Sequence, residues 1–358
     1  MFSYSSKIQK RAENKMVKNW WLFRATDFHS LMYPCFILCC ILGIFPYRMN
    51  NTTFKLSKPL FIVSTIIVYV CCIRVLIMIY DLNTSGRMDM TDMPKNIEIS
   101  FYYVLSSFIA VVTHILSGPR TRLLQAIAKI SSRLPMESYR KLSWLIHAKD
   151  IFGAIYIFLI STSTFIINPD IFLTFSIVHI NLVVYQINMM YINCVCILKA
   201  CFERINDNLV NMQMLVVNNT THYLGLINHD QRNSLLLQKL KTLQKQYLMI
   251  SDTVQMVNMN FSLQLIATII MTFADITFHL YYYILAQREI MIIMPVKKQV
   301  FYIYSVLFML FFLTKIILII WACESGKKQA SEIGTTVHDV LNCTSDKQIK
   351  DEVLKHLT

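Results

Sequence analysis

Glycine is almost missing from this sequence. Seven glycines and eight prolines punctuate 358 residues, too few turn formers for the many short strands of a β-barrel. Charge is scarce as well: 15% of residues are Asp, Glu, Lys or Arg, 55% are hydrophobic, and mean hydropathy is +0.47. That balance excludes an ordinary soluble domain. Acids are the scarcer sign, 21 against 34 Lys and Arg, for a formal charge of +13. The sequence has no His-Glu-x-x-His pair, glycine-rich phosphate loop, Cys-x-x-Cys pair or acid cluster within an apolar run. The usual signatures of a membrane enzyme, a metal centre or a proton-coupled transporter are therefore missing, and neither enzyme activity nor a cofactor is expected. The cysteines lie mostly in or beside apolar runs, as at Cys35, Cys39, Cys40, Cys71, Cys72, Cys194, Cys196, Cys201 and Cys323. They imply no disulfide framework.

What the chain does have is long apolar runs. A helix needs about 20 apolar residues to cross a hydrocarbon layer of about 30 Å, where its backbone must satisfy itself. Six runs meet this: 60–80, 97–117, 151–167, 171–198, 257–286 and 299–322. A further stretch at 28–47, FHSLMYPCFILCCILGIFPY, is interrupted by Pro34, Gly43 and Pro46 and reads as re-entrant or interfacial. The expected fold is an all-α, polytopic membrane helical bundle of six spans plus a re-entrant N-terminal segment.

Lys and Arg collect on the cytoplasmic side of short loops. The basic residues of 1–27 and of 118–149 belong inside, and the acids Asp81, Asp89, Asp92 and Glu98 mark 81–98 as external. No cleavable apolar core follows the basic start, so the N-terminus is expected to stay in the cytoplasm. The divisions are then a basic N-terminus (1–27), a re-entrant segment with a basic loop (28–59), spans one to four (60–198), a cytoplasmic amphipathic segment (199–256), spans five and six (257–322) and a cytoplasmic tail helix (323–358). In the amphipathic segment, Leu236, Leu240, Leu243, Tyr247, Ile250, Val254, Val257 and Phe261 recur at alternating steps of four and three. Such a heptad seam serves either packing within one subunit or a bundle joining subunits.

Ionisable side chains inside spans are expensive and need a reason. Arg74 and Lys315 lie toward span ends, from which long side chains reach the interface. Asp275 is too short for that. It shares a helix face with Thr272 and His279, which suits either an interhelical hydrogen bond or the polar end of a ligand pocket. Tyr102, Ser106, Thr162, His179 and Tyr302 fall in the outer halves of their spans, where a cavity would combine apolar walls with a few polar groups. Each taken singly also fits ordinary packing. The candidate ligand-binding set is Tyr102, Ser106, Thr162, His179, Asp275, His279 and Tyr302.

Three stretches together resemble the insect gustatory receptors. The last apolar run closes on Cys323 and Glu324, and a polar helix follows with Ala330, Glu332, Thr335 or Thr336, His338, Val340 and Leu341. The opening segment carries Gly43 and Pro46, and KACFERINDNL follows the fourth span. The resemblance implies a tetrameric ligand-gated cation channel in the plasma membrane, with cytoplasmic N-termini, seven spans per subunit and a cytoplasmic anchor. Partners would be a small-molecule tastant, membrane lipid and related subunits in a homo- or hetero-tetramer, with no nucleic acid. In that family a seventh span follows the tail helix and lines the pore, and none is visible before Thr358. The alternatives are a G-protein-coupled type of receptor, which the basic first 27 residues oppose, a non-conducting partner subunit, and a transporter, for which no internal repeat is visible.

Overall fold

The computed structural model describes residues 23–50, 53–84, 93–167, 171–221, 229–288 and 295–343. The described residues form eight helices and one hairpin: α1 (Phe28–Ile41), β1 (Tyr47–Asn50), β2 (Thr53–Leu56), α2 (Lys58–Thr84), α3 (Met93–Ile115), α4 (Ser117–Ser131), α5 (Met136–Ile167), α6 (Ile171–Thr221), α7 (His229–Gln287) and α8 (Pro295–Cys343). Six of these, α2, α3 and α5 to α8, are long and apolar enough to cross a membrane.

α1 is a capped helix of 14 residues, at about 1.5 Å per residue shorter than a bilayer crossing. Asp27 Oδ1 accepts the Ser30 amide at 2.7 Å, and Ser30 Oγ accepts the Asp27 amide at 3.2 Å, a reciprocal capping box. The far end stops at Gly43, whose φ of +71° is open to glycine at little cost, while the Ile44 amide bonds Cys39 O at 2.8 Å. The chain then doubles back. The β1–β2 hairpin returns alongside α1, with Phe36 edge-on to Phe54 at 5.3 Å and His29 at 6.1 Å from the same ring.

α6 is the central post. Its span candidate is 78% buried, against 11% for α2 at the periphery. α8 makes the most extensive contact with it, helped by Gly326, where an added Cβ would lie 3.3 Å from Val195. Two further bonds tie the pair: Tyr191 Oη and Cys323 Sγ at 3.0 Å, and Thr336 Oγ1 to Asn206 Oδ1 at 2.7 Å.

The helices outrun their apolar runs. α3 begins at Met93, so Lys95 and Glu98 are helical, and α8 continues unbroken through Gly326 and Gly334 into the tail. The heptad seam on α7 is covered within this chain. Leu236, Leu240, Leu243, Ile250, Val257 and Phe261 are buried, and Tyr247 meets Phe202 of α6 at 5.9 Å. The tail beyond Cys343 lies outside the described residues.

Candidate functional site

A cavity of about 500 Å³ lies between the turn after α1 and helices α2, α3 and α6. Its size falls within the ordinary range for small-molecule sites, about 300–1,000 Å³. The walls are mostly aliphatic, with Ile44, Ile67, Val70 and Val75 on one side and Ile180 and Val183 on the other. Close approach of the turn to α2 closes one end: an added Cβ on Gly43 would sit 2.6 Å from Ile67 Cδ1. At that end Ser64 Oγ donates to Gly43 O at 2.5 Å and contacts His114 Nδ1 at 3.1 Å, while Thr65 Oγ1 lies 3.3 Å from His114 Nε2. The other end holds Arg74, whose guanidinium donates to Ser176 Oγ, and Tyr103. Ser106, Ser107, Thr113 and His179 add to the polar lining. Among the described residues no Asp or Glu lines this cavity.

A second polar feature lies among α3, α7 and α8, and it is packed rather than hollow. His279 stacks on Phe308, with ring centroids 4.0 Å apart and planes at 15°. Its Nδ1–H donates to Asp275 O at 2.8 Å, and Glu98 Oε1 lies 3.7 Å away. Asp275 is buried, with Oδ2 lacking a hydrogen-bond partner in the chain. Lys315 is also buried, its Nζ 4.3 Å from the Phe312 ring centroid. Lys315 is therefore packed among the helices rather than extended to the surface of the chain, and α8 carries on for seven turns past it.

Below the cavity, Arg120 of α4 is fully buried. Its Nη2 donates to Gln264 Oε1 at 2.7 Å, Gln264 Nε2 donates to Thr113 Oγ1 at 2.7 Å, and the guanidinium sits 4.7 Å from the Phe261 ring centroid. Burial pulls its pKa down to about 10, so it stays charged at neutral pH. This chain locks α3, α4 and α7 together.

Over residues 32–357 the sequence matches the family model described as 7tm chemosensory receptor. The chain belongs to that family. It is a multi-pass membrane protein. Its fold is similar to that of the insect olfactory receptor OR5 from Machilis hrabei, solved in complex with eugenol. The TM-score is 0.60 at 12% sequence identity, over 92% of this chain and 88% of that one. No curated protein matches the sequence significantly.

In this receptor the seven candidate residues fall into separate places. Ser106 and His179 line the cavity. Tyr102 sits beside it, its hydroxyl donating to Ile177 O at 3.2 Å and its ring perpendicular to that of Tyr103, so it ties α3 to α6. Asp275 and His279 belong to the packed cluster behind α3. Tyr302 stands edge-on to Tyr283 at 5.5 Å between α7 and α8. Thr162 is exposed, and its hydroxyl returns to Phe158 O of its own helix at 2.9 Å.

The sequence reading did not single out Tyr103, Ser107, His114, Ser176 or Gly43 as lining residues, and it took Arg74 for an interfacial anchor. An arginine and two histidines within apolar runs that lack nearby acids were the available signal.

Proposed function

We propose that this receptor is a gustatory chemoreceptor, a subunit of a ligand-gated cation channel that binds a small tastant in the cavity between α2, α3 and α6. The carrying observation is that cavity: about 500 Å³, aliphatic, with polar groups at both ends, in a chain of the chemosensory receptor family. Occupancy opens a gate only if the cavity differs between the closed and open states. The α1 turn and the peripheral α2 are the walls best placed to differ, because α2 has few partners to hold it. Asp275, His279, Tyr102 and Tyr302 then act from behind the wall by setting how α3, α7 and α8 pack.

The subunit sits in the plasma membrane with its N-terminus in the cytoplasm, as the basic 1–27 and 118–149 segments support. The α1 segment is re-entrant from that side. Assembly is as a homo- or hetero-tetramer with related receptors. Large apolar side chains left exposed on the cytoplasmic halves of α6 and α7, among them Val210, Met214, Leu235 and Leu248, support association there.

The test is whole-cell recording from cells expressing the chain, alone and with a related receptor, during application of a tastant panel. A ligand-evoked cation current is expected to persist without GTP in the pipette and to be lost in Ala110→Trp, which fills the cavity. A response that needs GTP would replace the channel reading with a G-protein-coupled one. A current indifferent to Ala110→Trp would move the ligand site elsewhere.

A further inference from the structure

The cavity's charge and shape narrow what it accepts. Its basic lining consists of Arg74, His114 and His179, with Cys71 and Tyr103 as further titratable groups and no Asp or Glu among the described lining residues. His114 is held at the closed end by Ser64 and Thr65. Arg74 is at the opposite end and exposed. Of its five N–H donors, one is engaged by Ser176. A guanidinium with spare donors at the mouth of an aliphatic hollow is a place for a carboxylate, which it can grip with two parallel hydrogen bonds.

The body of the cavity has the proportions of a short aliphatic chain. From Arg74 down to Ile67, opposite Gly43, is seven residues of α2, about 10 Å of helix rise. Half of a bilayer's hydrocarbon core, about 15 Å, is what the chain of an ordinary membrane lipid fills. The hollow is shorter than that. Its walls between the polar ends are mostly Ile, Val, Leu, Cys and Ala, interrupted by Ser106, Ser107 and His179, with Tyr103 and Phe175 as the Tyr and Phe side chains among the described lining residues.

We infer that the cavity accepts a medium-chain aliphatic carboxylate, its head group on Arg74 beside Ser176 and its tail pointing down toward Gly43. This rests on the reading of the cavity as the ligand site. With Arg74 near the outer surface, the bound molecule keeps the orientation that it has in the outer leaflet. The exposed α2 lets it arrive sideways from the lipid as well as from water. Ser106 and His179 lie along its path and set where the polar head stops and the tail begins.

The experiment measures equilibrium binding of radiolabelled decanoate and of radiolabelled decanol to the full chain in phosphatidylcholine nanodiscs. Decanoate is expected to bind saturably and about tenfold more tightly than decanol, the worth of one charge-assisted contact. Arg74→Gln removes that advantage and leaves decanol binding unchanged, which also shows that the variant is folded. Arg74→Lys keeps part of it. Ala110→Trp abolishes both. Equal affinity for decanoate and decanol, with Arg74→Gln indifferent, overturns the carboxylate assignment while leaving the cavity as a site. Binding of both probes that survives Ala110→Trp overturns the cavity reading itself. Native mass spectrometry supplies the remaining arm: a phospholipid that co-purifies with the chain, is lost in Arg74→Gln and is not displaced by decanoate would make the occupant a membrane lipid and contradict the proposal.

Discussion

The Thr336 hydroxyl donates a 2.7 Å hydrogen bond to Oδ1 of Asn206. It joins the tail helix to the stretch after the fourth span, two of the three places where the sequence resembles the gustatory receptors. The bond lies far below the cavity, at the end of the long α6–α8 contact, with Ile333 and Val340 buried beside it. It is therefore a clamp between the two helices that any movement of α8 must respect.

Replacing Thr336 with Val keeps the shape and removes the donor. A neutral hydrogen bond contributes about 1 kcal/mol net. Thr336→Val and Asn206→Ala should each cost about that much, and the double variant no more than either alone. Thermal unfolding of purified protein in detergent, followed by size-exclusion, measures the cycle. Fully additive losses would show that the two side chains do not act as a pair.

Gly153 of α5 lies under the Tyr185 phenol, where an added Cβ would fall 1.7 Å from the hydroxyl oxygen. Tyr185 in turn donates to Lys149 O at 3.2 Å. Gly153→Ala must push the ring aside, and overpacking of this kind costs about 1–3 kcal/mol. The expected result is low yield of folded protein, with partial rescue by Tyr185→Leu, which removes the hydroxyl and the two ring carbons that the new Cβ would meet. Normal yield of Gly153→Ala alone would contradict the close approach of α5 and α6.

Asp275 of α7 and Lys315 of α8 are buried ionisable side chains that interact electrostatically between the two helices. Removing one partner of such a pair is more harmful than removing both, by about 3 kcal/mol. Lys315→Met should reduce surface expression strongly, and Lys315→Met with Asp275→Asn should recover much of it. Surface biotinylation reads the difference. A double variant as poor as the single would mean that the two charges are not coupled.

Orientation is open to a glycosylation assay. Asn83 begins a sequon at the C-terminal end of α2, and Asn51 begins one between β1 and β2 in the sequence. With a cytoplasmic N-terminus and a re-entrant α1, Asn83 should carry glycan and Asn51 none. Modification of Asn51 alone would invert the arrangement.

The six long helices could be read from hydropathy because each had to supply its own apolar surface for a crossing. The doubling back of the chain after α1 could be anticipated at Gly43, since a positive φ costs glycine little. The lengths of α6 and α8 could not. Past the membrane their apolar positions thin to a narrow stripe, and nothing local announces that Gly326 permits close packing rather than a break. The cavity was the least legible part. Its lining comes from four segments between Ile41 and Val183, and helical periodicity says which residues share a face without saying which faces leave a gap between them. Ser106 and His179 were found because they are polar within apolar runs. Asp275 and His279 share that property, and the structure puts them in a packed cluster instead.

The most direct test of the ligand site is photolabelling of the full chain in nanodiscs with diazirine-bearing decanoic acid and diazirine-bearing decanol, followed by peptide mass spectrometry. Labels competed by excess unmodified decanoate or decanol are expected on Ile66 to Val75 of α2, Tyr103 to His114 of α3 and Phe175 to Val183 of α6. Competed labels confined to α5, α7 and α8, or no competed label at all, would contradict a ligand cavity behind α2.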